Sequence, residues 1–227
     1  MFIHKHPYPP FINNDTTKLI VGTLPPPRFS TGALLEKDVD FCYGSYFNSL
    51  WLFIDEIHKL NLRYDNSQEA IDQRKAFLIT HHIGICDIVE SAERDKIDAS
   101  DLGMQNIKLR DLIGYLKRYP TIKTILFIGG NSKNGPEYFF RKHLKTYDLK
   151  LQLVSANTPR IHQFELQTDD LDNEKNHNRM IQTVSLTSSS GAANISISQN
   201  LLYKQLKSNN PKFNTFDFRV MQYREFL

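Results

Sequence analysis

KLIVGTLPPPRFSTGALLEKDVDFCYGSYFNSLW, residues 18–51, is the stretch on which the fold turns. The run 18–24 is short, β-branched and apolar, the composition of a strand buried on both faces, broken at Gly22 and ended by Pro25-Pro26-Pro27. Proline has no N–H to give a ladder, so the backbone leaves the sheet there. In open α/β sheets ligands bind beyond the carboxyl ends of the strands, which puts Gly22, Thr23 and the prolines at the floor of a pocket. Tyr43, Tyr46, Phe47 and Trp51 then lead into 48–60, where apolar residues at 50, 51, 53, 54 and 57 have helical spacing.

Working outward, 67–80 (SQEAIDQRKAFLIT) reads as a second helix and 82–90 (HIGICDIVE) as a second strand. The polar segment SAERDKIDASDLG suits a loop over the same sheet edge. Apolar positions at 107, 109, 112, 113 and 116 predict a helix over 106–119, stopped by Pro120. KTILFIGG at 123–130 is the plainest strand, and 134–147 follows as a helix with Pro136 in its first turn. Segments 149–156 and 161–167 form an expected β-hairpin around Asn157-Thr158-Pro159, followed by a polar loop at 168–179. MIQTVSL at 180–186 is the last strand expected, 198–208 a closing helix, and 209–227 a tail with Phe213, Phe216, Phe218 and Tyr223 to pack down. The prolines of 1–14 suggest an irregular arm on the surface. Regular alternation of strand and helix predicts an α/β protein. The fold class expected is a three-layer α/β/α sandwich with a central, mainly parallel four-stranded sheet and an extra β-hairpin, in one domain spanning 1–227.

At 227 residues the chain is long enough for a sizeable core, and 40% hydrophobic with 11% aromatic residues excludes a disordered chain. No apolar run approaches membrane-spanning length, and MFIHKHPYPPFINN lacks an apolar signal core, so a cytoplasmic protein without membrane contact is expected. Only Cys42 and Cys86 are present, too few for a disulfide scaffold or a four-thiolate cluster. His81, His82 and His162 lack ligand spacing, so no metal is expected. A net charge of +3 is compatible with a polyanionic partner without demanding one. The basic groups near 108–118, 117–123 and 141–145 read as solvated helix faces.

Four strands deliver four loops to one sheet edge: GTLPPP, GICDIVES, GGNSKNG and LTSSSGAAN. Small and hydroxyl residues there let a phosphate or a base approach backbone N–H groups closely. Neither the P-loop pattern nor the G-x-G-x-x-G fingerprint occurs. Gly129, Gly130 and Asn131 have two readings, part of the pocket wall or, preferred, a tight turn before a helix. Asp87 has two readings, a carboxylate that accepts a ring N–H or one that caps the following loop.

In the order VGTLPPP, YGSYFNSLW, GICDIVE, LFIGG, LTSSSGAAN, the chain resembles the uracil-DNA glycosylase superfamily over most of 18–200. It is most similar to the mismatch-specific and hypoxanthine-removing branches. Those branches carry a G-x-x-P turn after the first strand, an aromatic followed by an Asn-x-aromatic-Trp segment, and a late L-P-S-x-S-(G)-A-N loop. The motifs are degenerate singly and specific together.

The resemblance implies roles for matching positions only. Thr23 stands where many relatives hold the polar or acidic residue that orients water at C1′; a hydroxyl aligns water but is a poor base. Asn48 matches the Asn of the aromatic segment and is the first catalytic candidate, Thr23 the second. Tyr43 falls where relatives stack an aromatic on the extruded base, while Phe47 and Trp51 are expected in the core. Gly22, Gly84, Ile85 and Asp87 are placed to read the base edge. Pro25 and the loop carrying Ser188, Ser189, Ser190, Gly191 and Asn194 are placed to hold DNA phosphates, against a plain reading of that loop as flexible and Ser/Gly-rich. Thr187 replaces a common Pro, the His of the classical uracil enzymes is lacking, and no large wedge is offered. Arg160-Ile161-His162 resembles a loop of a covalently trapping branch, but in another place, and is taken as coincidence.

The function expected is a monofunctional DNA glycosylase of base excision repair, a monomer acting on DNA and needing no cofactor. No lysine is placed by the resemblance for Schiff-base chemistry. A nucleic-acid or nucleotide binder of the same fold without hydrolysis is the alternative, and an unrelated flavodoxin-like nucleotide binder a third reading.

Overall fold

In a computed structural model of the chain, residues 1–98, 100–168 and 177–227 are described. The apolar runs become the strands of a six-stranded sheet. In chain order its strands are β2 (Lys18–Val21), β3 (Ile83–Ile85), β6 (Thr124–Ile128), β7 (Gln152–Ser155), β8 (Arg160–Thr168) and β9 (His177–Leu186), arranged β3-β2-β6-β9-β8-β7. Pairings β2–β3, β2–β6 and β6–β9 are parallel, and β8–β9 and β7–β8 antiparallel.

Strand side chains alternate between two apolar cores. Ile20, Leu126, Ile128, Val184 and Leu186 join Trp51, Phe53 and Ile54 of α2 (Leu50–His58), Phe77 and Leu78 of α3 (Gln68–Thr80), and Val220 and Tyr223 of α8 (Thr215–Arg224). Leu19, Val21, Ile125 and Phe127 join Leu112, Ile113 and Leu116 of α4 (Leu112–Arg118) and Phe139, Phe140 and Leu144 of α5 (Pro136–Lys145). Helices therefore cover both faces of the sheet. Most starts carry the expected chemistry: Ser67 accepts from Ala70 N, Asp111 accepts from Gly114 N, and Pro136 opens α5.

The expected four-stranded centre is the parallel part of a larger sheet. The hairpin joins it because β8 and β9 pair along their whole length, from Arg160↔Ser185 to Thr168↔His177. Strand thus replaces both ends of the polar loop expected at 168–179, while 169–176 lies outside the described residues.

A second, three-stranded sheet ordered β1-β4-β5 is the main departure from expectation. It consists of β1 (Phe2–Lys5), β4 (Val89–Arg94) and β5 (Gln105–Leu109), all antiparallel. The irregular arm is thus partly a strand, SAERDKIDASDLG begins with the last four residues of β4, and the helix expected from residue 106 begins only at Leu112. The N-terminal segment is also pinned further along, by a bridge between Phe11 and Ile85 and by Arg110 Nη2 donating to Tyr8 O at 2.6 Å.

At the carboxyl side, Asn200 splits the expected closing helix into α6 (Asn194–Gln199) and α7 (Leu201–Asn209), and its side chain accepts from Tyr203 N. The tail is α8, opened by a capping box between Asn214 and Asp217. A short α1 (Pro27–Thr31) follows the proline turn and ends at Gly32, whose φ of 75° favours glycine. Among the described residues no helix is long and apolar enough to cross a membrane.

Candidate functional site

From β2 the chain crosses to β3 on one side and returns past β2 to β6 on the other, so the direction of winding reverses between β2 and β6. A crevice opens beyond the carboxyl ends of strands at such a point. A cleft of about 1040 Å³ lies there, lined from the ends of β2 (Gly22, Thr23, Pro25), β6 (Gly129, Gly130) and β9 (Thr187 to Ser190).

Gly22 forms the floor. A Cβ at this position would stand 2.0 Å from Tyr43 Oη and 2.8 Å from Asp87 Oδ1, so only glycine admits both. Gly22 N–H donates to Asp87 Oδ1 at 3.0 Å, and Asp87 Oδ2 pairs with His6 Nε2 at 2.9 Å. Burial works against ionisation of Asp87, but the His6 hydrogen bond and charge, Tyr43 and Arg110 together hold the carboxyl below its ordinary value. Asp87 thus clamps β2 to the N-terminal segment, with both oxygens engaged.

One wall is the turn that carries Tyr43, which adopts φ 58°, a strained conformation for an aromatic residue. The turn closes through Val39 N–H to Gly44 O and Gly44 N–H to Phe41 O. Its anchor is buried Asp38, which accepts from Arg28 Nε (2.6 Å), Arg28 Nη2 (2.8 Å), Leu35 N (2.9 Å) and Tyr46 N (2.8 Å). The Tyr43 hydroxyl is buried over Gly22 beside the Asp87 carboxylate, and burial first, then that carboxylate, push its pKa well up. Phe47, expected in the core, is instead 66% exposed at the cleft with the Arg28 guanidinium 5.7 Å from its ring centroid. Helix α2 begins only at Leu50, so Phe47 is not on its buried face. Trp51 is in the core as expected, 1% exposed, donating Nε1–H to Cys42 O.

Asn48 and the serine loop meet across the cleft. Asn48 and Ser190 form an antiparallel bridge, and Ser49 N–H donates to Ser189 O at 3.0 Å. Asn48 Oδ1 accepts from Leu50 N at 2.9 Å, leaving its amide nitrogen without a partner among the described residues. Helix α8 supports the loop from below: Tyr223 Oη donates to Thr187 O, Thr187 Oγ1 to Gln222 Oε1, and Arg219 Nη2 to Ser190 O. Ser189 Oγ is buried without a partner among the described residues. An orphaned buried hydroxyl is uncommon, and this one marks where a ligand or ordered water hydrogen-bonds.

The opposite side adds a cation. Arg160, at the start of β8, donates to Glu137 Oε2, and buried Glu137 also holds Arg141 and the Ser185 hydroxyl. Burial opposes the charge of Glu137, while Ser185 and the two arginines keep its pKa below the ordinary value.

Asp101, from a 3-10 turn at Asp101–Gly103, also lines the cleft. Thr23 Oγ1 donates to its Oδ1 at 2.9 Å. Burial raises its pKa from 3.8 to about 6, with Thr23 and Arg94 opposing and Asp87 adding to the rise. The folded pKa lies above the unfolded one, so the stability this group contributes is complete below about pH 4 and is lost as the pH rises through about 6. Asp101→Asn is accordingly expected to be more stable than the wild type at pH 8 by on the order of 2 kcal/mol. Urea unfolding at pH 8 and pH 4 checks this, since the gap should close in acid.

Of the residues singled out in the sequence, Gly22, Thr23, Pro25, Tyr43, Asn48, Asp87, Ser188, Ser189 and Ser190 line this one cleft. Gly84 and Ile85 do not. They are inside strand β3, where Gly84 pairs with Leu19 and Ile85 with Ile20 and Phe11, so the cleft is reached only two residues later at Asp87. Gly191 and Asn194 stand exposed beside the cleft, which Ala192, Ala193 and Ser196 line instead. His162 is buried against Arg141. The reading missed His6, Asp38, Asp101, Arg28 and Arg160. Each is a polar residue without periodic neighbours, and the only cue available was an acidic residue beside the Leu102-Gly103 turn for Asp101. Among the described residues, no three His, Cys, Asp or Glu side chains are grouped to hold a metal ion, and no lysine lines the cleft.

Comparison of the chain with protein-family models, with characterised proteins and with solved structures yields no match.

Proposed function

We propose that this chain hydrolyses the N-glycosidic bond of a deaminated base, uracil or hypoxanthine, flipped out of DNA, as a three-layer α/β/α glycosylase of the uracil-DNA glycosylase type. The observation that carries the reading is convergence: Tyr43, Asn48 and Ser188, separated along the chain, line a single cleft at the carboxyl ends of parallel strands.

A base out of the stack has lost its neighbours, and an aromatic face returns about 1–3 kcal/mol per base. Tyr43 is suited to this, its hydroxyl sunk over Gly22 and its turn tied down by Asp38. Asp87 orients Gly22 and Tyr43 beneath the base. Ser188, Ser189 and Ser190, with the backbone of their loop, hold the flanking phosphates, and Arg160, which shares the single charge of Glu137 with Arg141, leaves positive charge at the cleft. Asn48 and Thr23 align the water that attacks C1′ as the sugar takes on oxocarbenium character. A cleft without lysine fits release by water rather than through a Schiff base.

One observation favours a binder that does not hydrolyse: both Asp87 oxygens and the Asn48 oxygen are already engaged within the protein. An excision assay on duplex and single-stranded oligonucleotides carrying uracil, hypoxanthine or xanthine separates the two. Release of free base, leaving an alkali-labile abasic site, is expected. Tight binding with no base released from any substrate would mean that the binder reading is the right one.

A further inference from the structure

The turn that carries Asp101 reaches the cleft from the smaller sheet, and three contacts hold it. Buried Arg94, at the end of β4, donates to Ser100 O at 2.6 Å; Asn134 Nδ2 donates to Asp101 O at 2.9 Å; Thr23 Oγ1 donates to Asp101 Oδ1. Arg94 is itself fixed by Nε donation to His4, which burial keeps neutral with a pKa of about 4. Asp101 is therefore bound to the turn after β2 on which Thr23 aligns water. Its Oδ2 has no partner among the described residues. The charged groups around it are Arg94 and Asp98 from the β4 side and Asp87 after β3, with neutral Thr23 and Asn134 completing the surroundings.

We propose that Asp101 is the general base of the hydrolysis, taking the proton of the water that Asn48 and Thr23 align. The inference rests on the base-excision reading above and supplies what a threonine at position 23 cannot, a group that accepts a proton. In the step, the C1′–N bond breaks and its electron pair leaves with the base. The water oxygen bonds to C1′, its proton passes to the Asp101 carboxylate, and Asp101 then gives that proton up to the departed base or to solvent. Atoms and charge balance without a co-reactant. A base poised at about 6 is ionised at neutral pH and still basic enough to assist.

The test is single-turnover excision between pH 4.5 and 8.5 with the full chain, run beside oligonucleotide binding. The wild-type rate is expected to rise about tenfold per pH unit up to about 6 and then level. Asp101→Asn should lose about 100-fold or more at pH 7.5 and lose the acid limb, with DNA affinity retained. Thr23→Val should move the limb to higher pH, because removing the hydrogen bond raises the pKa of Asp101, an effect that a merely structural role for either residue does not produce. Excision by Asp101→Asn at the wild-type rate with an unchanged acid limb overturns the assignment and leaves the base-excision reading standing. Absence of excision by the wild type overturns both.

Discussion

Asn48→Ala is expected to slow base release by about 10³-fold while oligonucleotide affinity changes less than about threefold. The amide stands where the aromatic segment meets the serine loop, and its nitrogen is the part of the side chain not used by the protein. Held by that N–H, a water lies over the sugar with its proton directed at a base, an arrangement realised fully only in the transition state. The oxygen has another task, receiving Leu50 N–H at the start of α2. Its loss is expected to cost about 1 kcal/mol of stability, seen as a melting point lower by roughly 2–4 °C. Asn48→Asp separates the two tasks. It keeps the acceptor for Leu50 and removes the donor, so its melting point should match the wild type while excision stays as slow as in Asn48→Ala. An Asp variant with wild-type excision would show that the amide nitrogen is not the group that matters.

Asp38→Ala is expected to be the most destabilising single change near the cleft, by about 3–5 kcal/mol. Asp38 has no exposed surface and receives four hydrogen bonds, two of them from a guanidinium that is itself only 20% exposed. Truncation leaves Arg28 partly buried without its counter-charge and frees the backbone of Leu35 and Tyr46. The turn between them carries Tyr43 at φ 58°, a conformation that persists only where its surroundings impose it. Excision should therefore fall together with stability. The pH dependence follows from the same contacts. Burial works to raise the pKa of Asp38, but Arg28 and the two backbone N–H groups hold it below the ordinary 3.8. A depressed folded pKa gives stability that is present above the unfolded value and is lost as the pH falls through the folded one. In urea unfolding, wild type and Asp38→Ala should differ most at neutral pH and converge below about pH 4. A constant difference across that range would count against the ion pair as the source of the stability.

Much of the fold was legible because it rests on runs. KLIV, IGI, TILFI and the apolar end of β9 are buried on both faces, and burial of that kind writes itself as consecutive branched apolar residues. Ser67 and Pro136 mark helix starts through their own side chains, while the start at Asn200 reads through as continuous helix. The smaller sheet left no such trace. Strands β4 and β5 are partly exposed and mostly polar, and bulges between Val89 and Glu93 interrupt their register, so VE reads as the end of the preceding strand, SAER as loop and NIKL as helix start.

The cleft divides along the same line. The loops after β2 and β9 were found because strand ends carry ligands in this class of sheet, Tyr43 and Asn48 through the family resemblance, and the Asn48↔Ser190 bridge brings two of those segments together. Asp101 and His6 were invisible because their partners, Thr23 and Asp87, lie 78 and 81 residues away in the chain. What the residues alone determined is the parallel core and the edge at which its loops gather, since local hydrophobic pattern dictates which segments must be buried. What only the tertiary structure decided is which polar groups face one another across that edge. A lone carboxylate carries no periodic signal, and its ionisation depends on neighbours that the folded chain alone brings near.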